Sequence, residues 1–304
     1  MKIGIIGIGA MGSLFAARLH GLADVMMLGH WAAQITAVRQ HGLTLIHPDG
    51  HQTHHPIPIT SNPTDIHNAN FVFVLVKSHQ TEQAAQLALQ ILAPDGLAVT
   101  LQNGLGNWEK LTTVLGKERV TLGVTTEGAT IVAPGTVRHA GHGVTHLATR
   151  PEIATRVTTL AQLLTHAGFE THLSENVDGL VWGKLAINAG INPITAVLRV
   201  PNGHLAQNPH ARTLMQAAAR EVAQIASALG ITLPYPDAGQ RTLEVAQATA
   251  ANHSSMLQDI LRGATTEIDA ICGEVVRHGQ HLGIPTPVNR CLLELVRAIP
   301  TPDS

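Results

Sequence analysis

The chain has 304 residues, a length that suggests about two domains and can bury a full core without disulfides or metal staples. Charged residues are 13% of the total against a usual ~25%, and 19 Lys plus Arg against 21 Asp plus Glu leave a formal net charge of −2. With no basic stripe, and with only one Tyr, four Phe and three Trp to stack on bases, the composition argues against nucleic acid as a partner. Nineteen histidines would make the protein strongly cationic in acid. The two cysteines, Cys272 and Cys291, form neither a CxxC pair nor a disulfide framework and fit a reducing, cytoplasmic compartment. The amino terminus MKIGIIGIGAMG is apolar but interrupted by glycine, and reads as a strand and turn rather than a signal peptide. The weakly polar stretch 177–198 carries Asp178, Lys184, Asn188, Asn192 and Pro193, groups too costly in hydrocarbon for a membrane span.

In chain order, residues 2–6 read as a strand, 11–22 as a helix, 24–28 as a second strand and 32–40 as a second helix. Residues 42–47 followed by Asp49-Gly50 look like an inserted hairpin with a DG turn. The continuous apolar run 71–76 suits a central parallel strand, followed by a helix over 81–92 and strands over 97–101 and 119–124. Beyond about residue 170 long helical patterns dominate, at 177–190, 206–229, 238–251, 265–282 and 288–299. Pro234 and Pro236, then Pro285 and Pro287, break them. The expected architecture is an α/β domain with a doubly wound parallel sheet over 1–170, then an all-helical domain over 171–304.

Gly7-Ile8-Gly9-Ala10-Met11-Gly12 is a GxGxxG between the first strand and the first helix. The first glycine permits the tight turn, the second lets backbone approach a pyrophosphate, and the third lets the helix pack close to the sheet. Free N–H groups at the helix N-terminus, reinforced by its dipole, then bind phosphate. A Rossmann-type dinucleotide domain follows from the motif in that place. The second strand ends in Leu28-Gly29-His30-Trp31, without the acid that commonly holds an NAD ribose, so NADP is favoured over NAD. His30 is placed to donate to a 2′-phosphate, although it lacks the permanent charge of Arg; the alternative is an ordinary surface histidine.

Ligands of open α/β sheets bind beyond the carboxyl ends of the strands. Two segments here end strands with polar residues: Lys77-Ser78-His79-Gln80 and Gln102-Asn103-Gly104. Lys77 and Asn103 are candidates to touch cofactor or substrate, against a solvated lysine and ordinary Asn-Gly turn chemistry. Lys184, Asn188 and Asn192 fall at i, i+4 and i+8 on one face of an otherwise apolar helix. Groups of that kind either satisfy each other or face a cavity, and a desolvated lysine loses basicity toward the range useful for proton transfer. Ser255 and Gln258 make an S-x-x-Q capping box, and Glu267 suits the first turn of a helix, so each has a structural explanation of its own. His51, His54 and His55 read as a solvated loop. His139, His142 and His146 lie among glycines without a metal-binding motif, so no metal is expected.

Taken together, these residues resemble the ketopantoate reductase (2-dehydropantoate 2-reductase) family over nearly the whole chain. The marks are the glycine turn, VLVKSHQ at 74–80, QNGLG at 102–106 and VTTEGA at 124–129. WGKLAINAGINPITA at 182–196, PNG at 201–203 and SSMLQDILRGATTEID at 254–269 extend them through the helical half. The resemblance implies NADPH-dependent reduction of ketopantoate to (R)-pantoate, on the route to pantothenate and coenzyme A. It implies Lys184 as general acid, with Asn103, Asn188 and Asn192 orienting substrate and nicotinamide. Ser255 would hold the substrate carboxylate, Glu267 would contact the substrate hydroxyl and couple to Lys184, and Lys77 and Gln80 would lie along the cofactor channel. His30 departs from the Arg common in the family at the 2′-phosphate. The alternatives are a related reductase of another 2-oxo acid, or a nonenzymatic NADP-binding sensor. A monomer and a homodimer are both compatible with the apolar helical faces.

Overall fold

The computed structural model describes residues 1–300. The chain forms two compact units, Met1–Gln102 with Asn107–Val177, and Asn103–Gly106 with the chain from Asp178 onward. The first unit opens with β1 (Lys2–Ile6), α1 (Ala10–Leu19), β2 (Asp24–Leu28), α2 (Ala32–His41), β3 (Leu43–Ile46), β4 (Gln52–His55) and β5 (Ile59–Thr60). It continues through β6 (Ala69–Val74), α3 (Thr81–Ile91), β7 (Leu92–Thr100), α4 (Asn107–Leu115) and β8 (Val120–Thr125). It ends with β9 (Gly128–Ala133), β10 (Thr136–Gly141), β11 (Val144–Ala148), α5 (Ala154–His166) and β12 (Glu170–Ser174).

Eight strands form the main sheet in the order β12-β11-β8-β7-β6-β1-β2-β5, and each neighbouring pair is parallel except β8 with β11. The central strands are buried on both faces, which is why they read as continuous apolar runs. Ile3, Ile5, Phe71, Phe73, Leu97 and Val99 face a core shared with Phe15 of α1 and Leu160 and Leu164 of α5. Val72, Val74 and Ala98 face the opposite core, with Ala84, Ala88 and Ile91 of α3 and Leu111 of α4. Phe15 stacks on Phe169 at 4.4 Å between ring centroids, tying α1 to the approach of β12.

The hairpin expected at 42–50 forms as β3 and β4, with Gly50 at φ +86° and His51 N–H donating to the Asp49 carboxylate. It does not stand alone. β3 pairs with β10, and β10 with β9, to make a second sheet in the order β4-β3-β10-β9. The strands β9 to β12 and helix α5 were not foreseen, because 128–174 is rich in Thr, His and Gly and lacks a long apolar run. The sequence boundary at 170/171 falls inside β12, just after its first residue, and β12 pairs with β11 and so belongs to the first unit. The strand expected at 71–76 covers Ala69–Val74, which leaves Lys77 in the turn beyond it.

In the second unit, α6 (Asp178–Leu198) packs against α8 (Pro209–Ala228), with α7 (Asn202–Gln207), α9 (Ala238–Ala248) and α10 (Ser255–Leu261) around them. A turn of π-helix over Asp269–Gly273 leads into α11 (Glu274–Leu282), and α12 (Pro287–Arg297) follows. α6 runs past the expected end at 190 through Pro193, packed among Ile191, Ile194 and Ala196. The helix expected at 206–229 is divided, because the Asn208 side chain accepts from the His210 and Ala211 N–H groups and Pro209 occupies the first helical position. Among the described residues, no helix is long and apolar enough to cross a membrane.

Candidate active site

The glycine turn lies where the strand order reverses, since β1 sits between β2 and β6. Gly7 adopts φ +109°, and a Cβ there would come within 2.7 Å of the Leu75 carbonyl and the Val76 nitrogen just beyond β6. A Cβ on Gly12 would overlap the Gly7 carbonyl oxygen, so α1 starts against the turn with no room for a side chain. A Cβ on Gly9, by contrast, would meet nothing within 4 Å. Gly9 is the N-cap of α1 and supplies no capping side chain. Open backbone at an uncapped helix N-terminus fits a dinucleotide pyrophosphate, so Gly7, Ile8, Gly9, Ala10, Met11 and Gly12 are the residues that would hold it.

Ile8 packs over Gly29 at the end of β2, where a Cβ would lie 2.7 Å from Ile8 Cγ1. Gly29 is thus part of the turn, a role hidden in the sequence because it depends on that contact. His30, the next residue, is exposed. Lys77 is half-buried and Gln80 exposed, in the turn that follows β6. Gln102, which the sequence reading had not singled out, fixes that turn. Its carboxamide donates to the Val76 carbonyl (2.8 Å) and to Thr81 Oγ1 (2.9 Å), while Thr100 Oγ1 donates to its oxygen (2.9 Å). Thr81 Oγ1 donates in turn to Asn107 Oδ1 at 2.8 Å.

In the helical unit, Lys184, Asn188 and Asn192 share one face of α6. Lys184 and Asn188 are half-buried and Asn192 is buried. Desolvation lowers the Lys184 ammonium from its ordinary 10.5 to about 8, and the Glu267 carboxylate pulls the other way. Glu267 is 6% exposed, and the Asn103 carboxamide approaches its Oε2 at 3.5 Å. Asn103 reaches it because the segment Asn103–Gly106 belongs to this unit: Leu105 N–H donates to the Ala270 carbonyl at 2.9 Å. Gly104, at φ +81°, packs its backbone on Ala270 where a Cβ would collide.

Ser255 does not cap α10 as the S-x-x-Q spacing suggested. Ser254 is the N-cap, its Oγ accepting from Leu257 N–H at 3.1 Å, and Gln258 donates instead to the His253 carbonyl. The Ser255 hydroxyl is left to face Asn192, whose Nδ2 lies 3.5 Å away. Glu267 stands directly ahead of a helical run over 268–282 that begins with the π-turn at Asp269–Gly273, and its carbonyl accepts from Ile271 N–H, so the helix-start position read for it in the sequence holds. Ser255 thereby loses the structural explanation read for it in the sequence, while Glu267 keeps its own. The structure groups Asn103 with Glu267, and Asn192 with Ser255, around the α6 row.

His139 and His142 come together, but with Glu127 rather than His146, which lies beside His172. Arg18 donates to His139 Nδ1 at 3.2 Å, so Nε2 carries the ring proton and donates it to Glu127 Oε2 at 2.6 Å. Both ring nitrogens are occupied by hydrogen bonds.

A backbone cradle shaped for pyrophosphate on one unit, and on the other an ammonium of lowered basicity among carboxamides and a carboxylate, mark the chain as a pyridine-nucleotide-dependent reductase. Residues 3–152 match the family described as ketopantoate reductase PanE/ApbA, and residues 176–300 match its C-terminal domain. The chain belongs to the ketopantoate reductase family, a family of oxidoreductases. It is 36% identical to the 2-dehydropantoate 2-reductase of Halobacterium salinarum, with 98% of each chain covered. Among solved structures, it resembles a PanE/ApbA family ketopantoate reductase from Ralstonia eutropha (31% identity, TM-score 0.90, 98% of each chain). It equally resembles D-mandelate dehydrogenase solved with NADH and anilino(oxo)acetate (26% identity, TM-score 0.90, 98% of each chain).

Proposed function

We propose that the protein is an NADPH-dependent 2-dehydropantoate 2-reductase, converting ketopantoate to (R)-pantoate for pantothenate and coenzyme A synthesis in the cytoplasm. The observation that carries this reading is the Lys184 ammonium, lowered to about 8 and set on one helix face with Asn188 and Asn192 under the influence of Glu267. The chemistry supplied by a bound dihydronicotinamide is hydride donation to the oxo carbon. As the C=O bond becomes C–H and C–O⁻, Lys184 Nζ gives its proton to the oxygen and the substrate leaves as an alcohol. Before transfer the same ammonium polarises the carbonyl. Asn188, Asn192 and Asn103 hold the substrate and nicotinamide in register, Ser255 donates to the substrate carboxylate, and Glu267 accepts from the substrate hydroxyl.

The turn at residues 7–12 binds the pyrophosphate, with Lys77 and Gln80 beside it on the cofactor path. NADPH is preferred because the end of β2 offers no carboxylate to repel a 2′-phosphate, and His30 is exposed and able to donate to one. A second reading, reduction of another 2-oxo acid with NADH, is favoured by the likeness to D-mandelate dehydrogenase. Values of kcat/KM for ketopantoate and a panel of other 2-oxo acids, each with NADPH and NADH, separate the two. The proposed reading requires ketopantoate with NADPH to lead by at least about tenfold.

A further inference from the structure

Ser255 is the first residue of a seven-residue helix, too short to fix a hydroxyl by itself. Two sets of contacts hold it in place. The first runs through Thr195, fully buried on α6 and three residues beyond Asn192. Thr195 Oγ1 donates to the Ile191 carbonyl at 2.9 Å and lies 2.7 Å from Ser254 Oγ. With the threonine proton on the carbonyl, Ser254 is the donor in that pair, and the Ser254 lone pairs remain free to accept from Leu257 N–H. The pairs Thr195–Ser254 and Asn192–Ser255 are therefore adjacent rungs between α6 and the start of α10.

The second set comes from the turn Pro201-Asn202-Gly203, a motif the catalytic account leaves unexplained. Asn202 N–H donates to the Asn252 carbonyl and Gly203 N–H to the Ala250 carbonyl, both at 3.0 Å. Asn202 Nδ2 donates to Thr249 Oγ1 at 2.9 Å. Gly203 packs so closely that a Cβ would lie 2.7 Å from the Ala250 side chain. The loop that delivers Ser254 and Ser255 is thus gripped at its start by the 201–203 turn and at its end by Thr195.

We infer that Thr195 and Asn202 are positioning residues that set the Ser255 hydroxyl against Asn192, and so determine affinity for the substrate carboxylate without touching it. This rests on the proposed reading of Ser255 as the carboxylate-binding hydroxyl.

The test uses the full-length protein and compares Thr195→Val, which removes the hydroxyl at nearly constant volume, with Thr195→Ser, which keeps it, and with Asn202→Ala. Thr195→Val is expected to raise KM for ketopantoate about tenfold, with kcat within about threefold and KM for NADPH unchanged. Thr195→Ser restores wild-type values. Asn202→Ala moves KM in the same direction, which keeps the inference testable should Thr195→Val not fold. Turnover of the ketopantoate methyl ester, which lacks the carboxylate charge, is expected to be insensitive to Thr195→Val. Amide hydrogen exchange over residues 252–258, read without any substrate, is expected to rise at least about tenfold in Thr195→Val. Wild-type exchange and wild-type KM in both Thr195→Val and Asn202→Ala overturn the inference and leave the proposed reaction standing. Equal losses of kcat, NADPH affinity and substrate affinity also overturn it, since they show general damage. A wild-type protein that does not turn over ketopantoate overturns the proposed reaction instead, and the exchange data still decide whether Thr195 holds the loop.

Discussion

The Asn103 carboxamide lies 3.5 Å from the Glu267 carboxylate, across 164 positions of sequence. Asn103 leaves the end of β7 and enters the helical unit through a glycine at φ +81°, a conformation that L side chains rarely adopt. Glu267 in turn raises the basicity of Lys184 against the desolvation that lowers it. A loop glycine, an amide and a carboxylate are therefore linked to Lys184, the proposed proton donor.

That link fixes a pH dependence. Lys184 titrates at about 8, so its proton is present below that pH and absent above it. In its proposed role of general acid it must start protonated, and kcat/KM for reduction should fall tenfold per pH unit once pH exceeds about 8. Lys184→Ala should lower kcat by about 100-fold or more and abolish this limb. A profile flat from about pH 7 to about pH 10 would remove Lys184 from the role.

Glu267→Gln keeps the shape of the side chain and removes its charge. Without the carboxylate, desolvation of Lys184 is no longer opposed, and its proton becomes easier to lose. The alkaline limb should move to lower pH but persist, whereas it would vanish if Glu267 were the titrating group itself. Measuring kcat/KM against pH for the two proteins side by side reads the sign of the shift.

The glycines of the turn should separate stability from cofactor binding. Gly9→Ala places its Cβ in open space, so the folded protein should melt at the wild-type temperature. Dinucleotide affinity should nevertheless fall by about tenfold or more as the methyl group occupies phosphate space. Gly12→Ala drives a Cβ into the Gly7 carbonyl oxygen and should lose both stability and binding. Thermal melts with and without NADPH distinguish the two.

The NADPH preference should weaken in His30→Ala if His30 donates to the 2′-phosphate. The ratio of kcat/KM values for NADPH and NADH is the readout, expected to fall by about threefold or more in the variant. An unchanged ratio excludes His30.

The parts of the site that follow a local rule were legible in the sequence. The glycine turn announced itself by spacing and by its place between strand and helix, and Lys184, Asn188 and Asn192 by helical periodicity. Ser255 was misread because two serines stand in tandem and the cap goes to whichever one the incoming loop places first, here Ser254. Ser254 also meets Thr195 Oγ1, 59 positions away, a contact that no local pattern contains. Gly29 and Gln102 were missed for the same reason, since their importance lies in contacts with Ile8 and with Val76 and Thr81. The second sheet was only half visible, because β9 has no fully buried residue and the alternation of β10 rests on Val137 and the polar His139 alone.

The most direct test follows NADPH oxidation by the purified protein with ketopantoate, beside NADH and beside Lys184→Ala. Rapid oxidation with NADPH that collapses in the variant is the result predicted here. Clear NADPH binding without oxidation of the cofactor by ketopantoate would contradict the substrate assignment, and undiminished activity in Lys184→Ala would contradict the proton donor.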